Sequence, residues 1–256
     1  MDHRQQIDQL RALLEASHRA VVFTGAGIST DSGIPDFRGP QGLWKRMKPI
    51  DFGDFIASDE VRQQSWRQWF EHGGALREAR PNSGHLAVAR LVREGPVSAV
   101  ITQNVDNLHQ DSGVPVEQVI ELHGNATYAR CLGCGRSFQM PEIEREYRET
   151  GRVGDCRDCG GIVKSATISF GQAMPEEPMR RAGEETLACD LFIVLGSSLT
   201  VYPAAGFPLM AAENGADLVI VNEQPTDMDP VARLVISAGI GETMAAALPP
   251  EQATLH

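Results

Sequence analysis

The most constraining feature of this sequence is a set of short segments that are apolar along their whole length. They are Ala20–Thr24, Val97–Thr102, Val119–Leu122, Leu191–Leu195, Leu218–Val221 and Leu234–Ile236. Strands of this kind, unlike alternating ones, predict a sheet that is covered on both faces, as parallel sheets are. Helical patterns over Asp2–His18 and Ser83–Arg93 lie between or before these strands. We therefore predict an α/β protein with an open, doubly wound, parallel (Rossmann-like) sheet.

Two stretches do not fit this sheet. Residues 49–81 are mostly polar, and residues 124–166 contain two pairs of cysteines. We predict that these two stretches form a small helical and zinc-ribbon domain inserted into the larger one. The predicted Rossmann-like domain then comprises residues 1–48, 82–123 and 167–256. Ligands of open α/β folds bind beyond the carboxyl ends of the strands, so the cleft between the two domains is the expected site.

The paired cysteines have the spacing of a metal site. Cys131/Cys134 and Cys156/Cys159 are CxxC units, each followed by glycine, with 21 residues between the pairs. This gap is just beyond the usual range for two-pair zinc sites. Four thiolates would hold one structural Zn²⁺, because no coordination position is left open. The alternatives are a redox CxxC and a nucleic-acid-binding zinc ribbon.

Charge and hydropathy bear on the binding partners and the cellular compartment of the protein. The 23 basic and 34 acidic residues give a net charge of −11, which argues against direct nucleic-acid binding. No stretch approaches the ~20 apolar residues that span a membrane, and the first residues lack the apolar core of a secretory signal. We therefore expect a cytoplasmic protein without membrane contact, which agrees with unpaired cysteines in a reducing compartment.

A glycine turn follows the first predicted strand. Gly25 and Gly27 would let the main chain approach a phosphate group. Thr30 stands where a GxGxxG motif has its third glycine, so a plain strand-to-helix turn remains the alternative. The loop that follows contains Asp36, Phe37 and Arg38 in succession, an acid, an aromatic ring and a base that would suit a loop folding over a cofactor.

Polar residues also end two later strands. Asn104 and Asp106 follow Thr102 at the carboxyl end of a strand, where polar side chains face the binding crevice. The alternative is that they cap the next helix. His123 follows the third strand and precedes a glycine; a neutral histidine at such a place suits a general base. By contrast, His85 and His109 fall in helical contexts, and we expect them to be structural.

Here the motifs resemble a known family. GAGISTDSGIPDFRG, TQNVDNLH, ELHGN, the two cysteine pairs, SFGQAMP, GSSLTVYP and IVNEQP occur in this order. Together they closely resemble the sirtuin family of NAD-dependent protein-lysine deacylases, from about residue 17 to about residue 245. The resemblance implies that the chain transfers an acyl group from lysine to ADP-ribose, with NAD as co-substrate, and releases nicotinamide. The protein substrates would contain acyl-lysine; the oligomeric state stays open.

The resemblance also implies the site residues. His123 would be the base, and Asn104 and Asp106 would hold the nicotinamide ribose and carboxamide. The full set implied for NAD is Gly25, Ala26, Gly27, Ser29, Ile34, Asp36, Phe37, Arg38, Trp44, Gln103, Asn104, Asp106, Gly196, Ser197, Ser198, Asn222, Glu223, Gln224 and Ile240. The set implied for the substrate main chain, bound as an added strand, is Ile168, Phe170, Gly171 and Val201.

The sequence departs from the family pattern at Gln172, where a glutamate is usual. Sirtuins that favour succinyl groups carry a tyrosine and an arginine in the helical part of the small domain, and no tyrosine lies in residues 49–80. Trp66, Trp69 and Phe70 there would form an apolar lining or simply core. We therefore expect acetyl or longer apolar acyl groups, not succinyl. The alternatives are an ADP-ribosyltransferase or NAD hydrolase on the same scaffold, and a non-catalytic module that binds NAD or zinc.

Overall fold

The computed structural model describes residues 1–36, 42 and 48–248 of the chain. The strands are β1 (Ala20–Thr24), β2 (Val97–Thr102), β3 (Val119–Glu121), β4 (Gly124–Cys131), β5 (Ser137–Gln139), β6 (Val163–Thr167), β7 (Leu191–Leu195), β8 (Asp217–Val221) and β9 (Leu234–Ile236). The α-helices are α1 (His3–Ala16), α2 (Phe52–Ala57), α3 (Asp59–His72), α4 (Gly74–Glu78), α5 (Ser83–Glu94), α6 (Leu108–Asp111), α7 (Met140–Thr150), α8 (Glu176–Ala188), α9 (Gly206–Glu213) and α10 (Ile240–Ala247). Strands and helices alternate through most of the chain, as the apolar segments predicted.

The larger sheet within the described ranges has six strands in the order β3-β2-β1-β7-β8-β9. All its pairings are parallel. Counted within this sheet alone, the order is 3-2-1-4-5-6, the doubly wound arrangement of dinucleotide-binding folds. The predicted Rossmann-like α/β sheet is confirmed. Its order reverses between β1 and β7, and such a reversal is where these folds bind ligands.

Helices cover both faces of this sheet, which is why its strands show no alternation. On one face, α1, α5 and α10 bury Leu10, Leu91 and Met244 against β1 residue Val22 and its neighbours. The opposite face is covered by α8 and α9. Each fully buried side chain of this size contributes about 1.5 to 3 kcal/mol through removal from water.

On that second face, Phe207 and Ala182 pack against Phe23 and Phe192 of β1 and β7. The rings of Phe23 and Phe192 lie 6.0 Å apart between centroids. Successive residues of one strand thus enter different cores, since side chains alternate across a strand.

The two stretches that did not fit the sheet contact each other. Strands β5-β4-β6 form a separate antiparallel sheet. Trp66 of α3 is buried in one apolar cluster with Ile143 of α7 and Val163 of β6. The side chain of Gln63 also bonds both main-chain groups of Val153, at 3.0 Å each. Trp66, with its neighbours Trp69 and Phe70, therefore belongs to the core of this small unit.

The glycine turn after β1 opens a 3₁₀ helix over Ala26–Ser32. The hydroxyl of Thr30 donates to the carbonyl of Gly27 at 2.9 Å, a local bond that competes with α-helical pairing. Among the helices of the described ranges, none combines the length and apolar character needed to cross a membrane.

Candidate NAD and acyl-lysine site

A glycine crossing lies where the strand order reverses, at the carboxyl ends of β1 and β7. The N–H of Gly27 donates to the carbonyl of Gly196 at 2.9 Å. A Cβ on Gly27 would lie 2.7 Å from the Cα of Gly196, and one on Gly196 would lie 2.5 Å from the N of Ile28. Gly25 is equally confined, because a Cβ there would lie 2.7 Å from the carbonyl oxygen of Gly196. Only glycine permits this approach, and the bare main chain it leaves at a strand end suits a pyrophosphate.

Two serines line the β7 side of the crossing. Ser197 is buried and its hydroxyl accepts a hydrogen bond from the amide of Gln103 at 2.8 Å. Ser198 is exposed and its hydroxyl lies 3.0 Å from that of Thr200. The predicted contacts Gln103, Ser197 and Ser198 thus lie beyond the carboxyl ends of β2 and β7, the two strands that flank β1.

Asn104 and Asp106 lie at the end of β2, and both are buried. The Ser29 hydroxyl donates to the Asp106 carboxylate at 2.7 Å, and the Asn104 amide donates to that hydroxyl at 3.2 Å. Asn104 also donates to the carbonyl of Gly25 at 3.1 Å. The second carboxylate oxygen of Asp106 accepts a hydrogen bond from the N–H of Leu108 at the start of α6. Asp106 therefore both caps this helix and belongs to the cluster with Ser29 and Asn104.

A buried polar layer supports Ser29 from behind. His85 Nε2 lies 3.4 Å from the Ser29 hydroxyl, and the rings of His85 and His109 are 5.2 Å apart. His109 Nε2 is 2.9 Å from the hydroxyl of Thr24, which in turn donates to Thr102 at 2.8 Å. Burial lowers the pKa of His109 to about 3 and lowers that of His85, although the charge of Asp106 opposes the latter shift. Both imidazoles are therefore neutral near pH 7.

His123 follows β3 and is partly buried. Its Nδ1 lies 2.9 Å from the main-chain carbonyl of Gln103. A carbonyl only accepts hydrogen bonds, so Nδ1 carries the proton and Nε2 is left with its lone pair. Burial lowers the pKa of His123, against the opposing effect of the Gln103 hydrogen bond. A neutral imidazole with a fixed tautomer has what a general base requires.

The predicted substrate segment begins beside His123. The N–H of Ile168 donates to the carbonyl of His123 at 2.8 Å. Two residues on, the carbonyl of Phe170 accepts the N–H of Phe52 at the start of α2. Phe170 is 46% exposed, and Gly171 has φ +77°, which places it in the left-handed region. The segment is therefore anchored through its main chain while its aromatic side chain reaches solvent.

The second predicted groove segment lies between β7 and α9. Val201 is half-buried there, and Tyr202 is 67% exposed. Leu199 is buried and takes a left-handed φ of 54°, which turns the chain away from the sheet.

Three of the remaining predicted NAD contacts lie in the 3₁₀ helix or in the residues that follow it. Ala26 belongs to the 3₁₀ helix, and Ile34 is buried with its N–H on the carbonyl of Ser29 at 3.3 Å. Asp36 is half-buried. Phe37, Arg38 and Trp44 lie outside the described residues.

Asn222 follows β8, the strand beyond β7, and donates to the carbonyl of Gln224 at 2.7 Å. Glu223 and Gln224 are exposed. Ile240 is buried at the start of α10. These residues lie at the carboxyl side of the sheet, as the glycine crossing does.

The four paired cysteines meet at one point. Their sulfur atoms all lie within 4.8 Å of one another, with Cys131 and Cys159 at 3.4 Å and Cys134 and Cys156 at 3.8 Å. A tetrahedral zinc with Zn–S bonds of ~2.3 Å separates its sulfurs by roughly 3.8 Å. The N–H groups two residues after Cys131 and Cys159 donate to those sulfurs at 3.3 and 3.4 Å. The cluster therefore fits one structural zinc ion.

Comparison with known proteins agrees with this geometry. The model of the Sir2 family matches residues 25–203. The chain belongs to the Sir2 family.

Two bacterial sirtuins are similar over almost the whole chain. NAD-dependent protein deacetylase 1 of Bradyrhizobium diazoefficiens is 54% identical over 243 residues, covering 95% of each chain. NAD-dependent protein deacetylase of Rhodopseudomonas palustris is 51% identical over 238 residues, covering 93% of this chain and 94% of its own.

Solved sirtuin structures share the fold. A Sir2 with a p53 peptide and NAD⁺ superposes with a TM-score of 0.84 at 36% identity, covering 93% of this chain and 95% of that one. A Sir2 variant with deacetylated p53 peptide and 3′-O-acetyl-ADP-ribose gives 0.87 at 36% identity, covering 94% and 96%.

In this sirtuin, the buried layer behind Ser29 is the part that motif reasoning missed. His85 and His109 were expected to be structural. His85 contacts Ser29 of the predicted NAD cluster directly, and His109 contacts His85. A signal was present in the sequence: Thr24 and Thr102 end two apolar strands, and the structure pairs them in register. Polar ends on neighbouring buried strands indicate a shared polar layer.

Proposed function

We propose that this chain is an NAD-dependent protein-lysine deacetylase that yields deacetylated lysine, nicotinamide and O-acetyl-ADP-ribose. The observation that carries the proposal is the double attachment of His123. Its Nδ1 lies on the carbonyl of Gln103, beside the predicted NAD residues, and its own carbonyl receives the N–H of Ile168, the first predicted substrate residue. One residue thus joins the predicted co-substrate side to the predicted peptide side.

NAD, when bound, supplies a ribose carbon that becomes electrophilic as nicotinamide leaves, and a ribose hydroxyl that accepts the acyl group. The role of the chain is orientation and proton transfer. The glycine crossing of Gly25, Gly27 and Gly196 would carry the pyrophosphate. The fixed cluster of Ser29, Asn104 and Asp106 would hold the nicotinamide end.

His123 Nε2 would take the proton from the ribose hydroxyl. It suits this task because it is neutral and its other nitrogen is held by a main-chain carbonyl. Ile168, Phe170, Gly171 and Val201 would bind the substrate main chain as an added strand, which gives affinity with little sequence selectivity.

The acyl preference stays a prediction of acetyl or longer apolar groups. Trp66 belongs to the core of the small unit, while Trp69 packs against it and also lines a cavity shared with Asp106 and Leu108. The unpaired thiols support a reducing compartment, the cytoplasm, as the place of action.

The test is mass spectrometry of an acetyl-lysine peptide incubated with the purified chain, with and without NAD. Loss of the acetyl mass only with NAD, together with acetyl-ADP-ribose, is the expected result. An unchanged peptide with consumed NAD would instead favour ADP-ribosyl transfer or hydrolysis. An unchanged peptide with intact NAD would contradict the deacetylase proposal for the acetyl group.

A further inference from the structure

Lys164 is a buried lysine without a carboxylate partner in the described part of the chain. It lies on β6, and only 4% of its surface is exposed. Burial lowers the pKa of its ammonium group to about 8, and no neighbouring charge opposes the shift. Burying an ammonium group without a counter-ion costs stability, and an apolar side chain of the same length would be cheaper to fold. The ammonium group therefore needs compensating contacts at Nζ.

The contacts of Nζ are main-chain oxygens and an aromatic ring. Nζ donates to the carbonyl of Thr167 at 2.6 Å and lies 3.5 Å from that of Ser165. Its other side faces the ring of Phe55 of α2, 5.9 Å from the centroid, a cation–π distance. The ammonium is thus held between the ring and the last residue of β6.

The carbonyl that Lys164 binds belongs to a peptide group with a second fixed end. The Thr167–Ile168 peptide offers its carbonyl to Lys164 and its N–H to the carbonyl of His123, at 2.8 Å. Thr167 also pairs with Gly124, the residue after His123. A charged donor polarises the peptide that it binds and strengthens the hydrogen bond at the other end of that peptide.

We propose that Lys164 is a positioning residue for the deacetylation proposed above: its ammonium fixes the Thr167–Ile168 peptide, which fixes the main chain of His123 and the start of the substrate segment. Helix α2 also contacts the predicted substrate segment. Its Phe55 ring covers Lys164, and the N–H of Phe52 donates to the carbonyl of Phe170. This inference rests on the proposed function, but it makes separate predictions.

The decisive variant is Lys164→Met, which keeps the length of the side chain and removes its charge and donors. We expect KM for an acetyl-lysine peptide to rise about tenfold, as for the loss of one hydrogen bond to a charged group. We expect kcat to fall as well, while KM for NAD stays within about twofold because no predicted NAD residue touches Lys164. Lys164→Arg, which keeps a positive charge and N–H donors, should raise the peptide KM less than Lys164→Met does.

The matched control is Arg130→Met. Arg130 is the register partner of Lys164 on β4, but it is exposed and its guanidinium lies over Tyr128, away from Thr167. This variant makes the same charge change in the same small sheet and should behave like the wild type.

The outcomes separate positioning from mere folding. A loss of folded protein lowers the apparent kcat and leaves both KM values unchanged, so that result in Lys164→Met would overturn the inference, as would a wild-type peptide KM. An equal rise of peptide KM in Arg130→Met would overturn it too. If Lys164→Met does not fold, Lys164→Gln replaces it with the same expectation, and a wild-type KM there is again contrary. A wild-type chain that deacetylates establishes the function independently of Lys164; one that does not removes both proposals.

Discussion

Replacing His123 by glutamine should abolish deacetylation while leaving the fold and NAD binding in place. Glutamine keeps a polar group near the carbonyl of Gln103 but has no basic nitrogen at the position of Nε2. The side chain of His123 is partly buried and makes one hydrogen bond in the described structure, at 2.9 Å. Its removal therefore affects chemistry far more than packing.

The two effects differ in size. A positioned general base contributes about 10²- to 10⁴-fold in rate, or about 3 to 5 kcal/mol of transition-state stabilisation. The hydrogen bond to Gln103 contributes about 1 kcal/mol to stability, which shifts Tm by about 2 to 4 °C in a chain of this length. The predicted loss of kcat/KM is thus at least about 100-fold for a small loss of stability.

The assay compares wild type, His123→Gln and the control His18→Gln. His18 is exposed and precedes β1, so it lies at the opposite end of that strand from the crevice. Acetyl-peptide turnover is followed by mass spectrometry, NAD binding by calorimetry and Tm by thermal unfolding. Turnover of His123→Gln within about threefold of wild type would refute the assignment of the base. A large loss of NAD affinity would refute the claim that His123 acts in proton transfer alone.

The pH profile gives an independent check. Burial lowers the pKa of His123 from 6.5, and the neutral form is the active one. The rate should therefore rise with pH as His123 loses its proton, at a pH below 6.5, and stay level above it. A rising limb centred above 6.5 would contradict the direction of this shift.

Three further predictions follow from the supporting structure. Gly27→Ala places a Cβ 2.7 Å from the Cα of Gly196, so it should lower stability by about 1 to 3 kcal/mol and weaken NAD binding about tenfold or more in calorimetry; an unchanged Kd would contradict the predicted pyrophosphate cradle. Zinc removal by a chelator, or Cys156→Ser, should expose the amides of β4 and β6 to hydrogen exchange before those of the large sheet, because Cys156 is buried in the core of the small unit; equal protection in both forms would argue against a structural metal. The folded state binds fewer protons than the unfolded one at His109, whose pKa falls from 6.5 to about 3, so its contribution to stability is complete above pH 6.5 and is lost as pH drops, by about 2 kcal/mol at about pH 5; His109→Gln should flatten the urea-unfolding profile over that range.

The places of many candidate site residues could be predicted because these residues directly follow strands in the sequence. Gly25 and Gly27 follow an apolar strand directly, and Asn104 and Asp106 follow another. Parallel strands bring their carboxyl ends to one edge, so residues after successive strands meet without further information. The zinc cluster is similar, since each CxxC pair is local and only the meeting of the pairs needs the fold.

Other features needed contacts across distant segments. Trp66, Trp69 and Phe70 read equally as a lining or as core, and their place became clear only where α3 packs against β6 and α7. The turn after β1 continues as a 3₁₀ helix, in which the Thr30 hydroxyl donates to the carbonyl of Gly27 and the Ser29 hydroxyl donates to Asp106. Neither choice is visible in hydrophobic periodicity.

The amino-acid sequence by itself determined the strand-and-turn pattern, the doubly wound sheet, the paired cysteines and the position of His123 at a strand end. These depend on side-chain periodicity and on local backbone chemistry, which neighbouring residues dictate. The tertiary structure alone decided the tautomer of His123, the neutral histidines behind Ser29 and the place of Lys164. Each of these depends on burial and on a partner from another segment, and desolvation has no meaning until the chain has folded around the group.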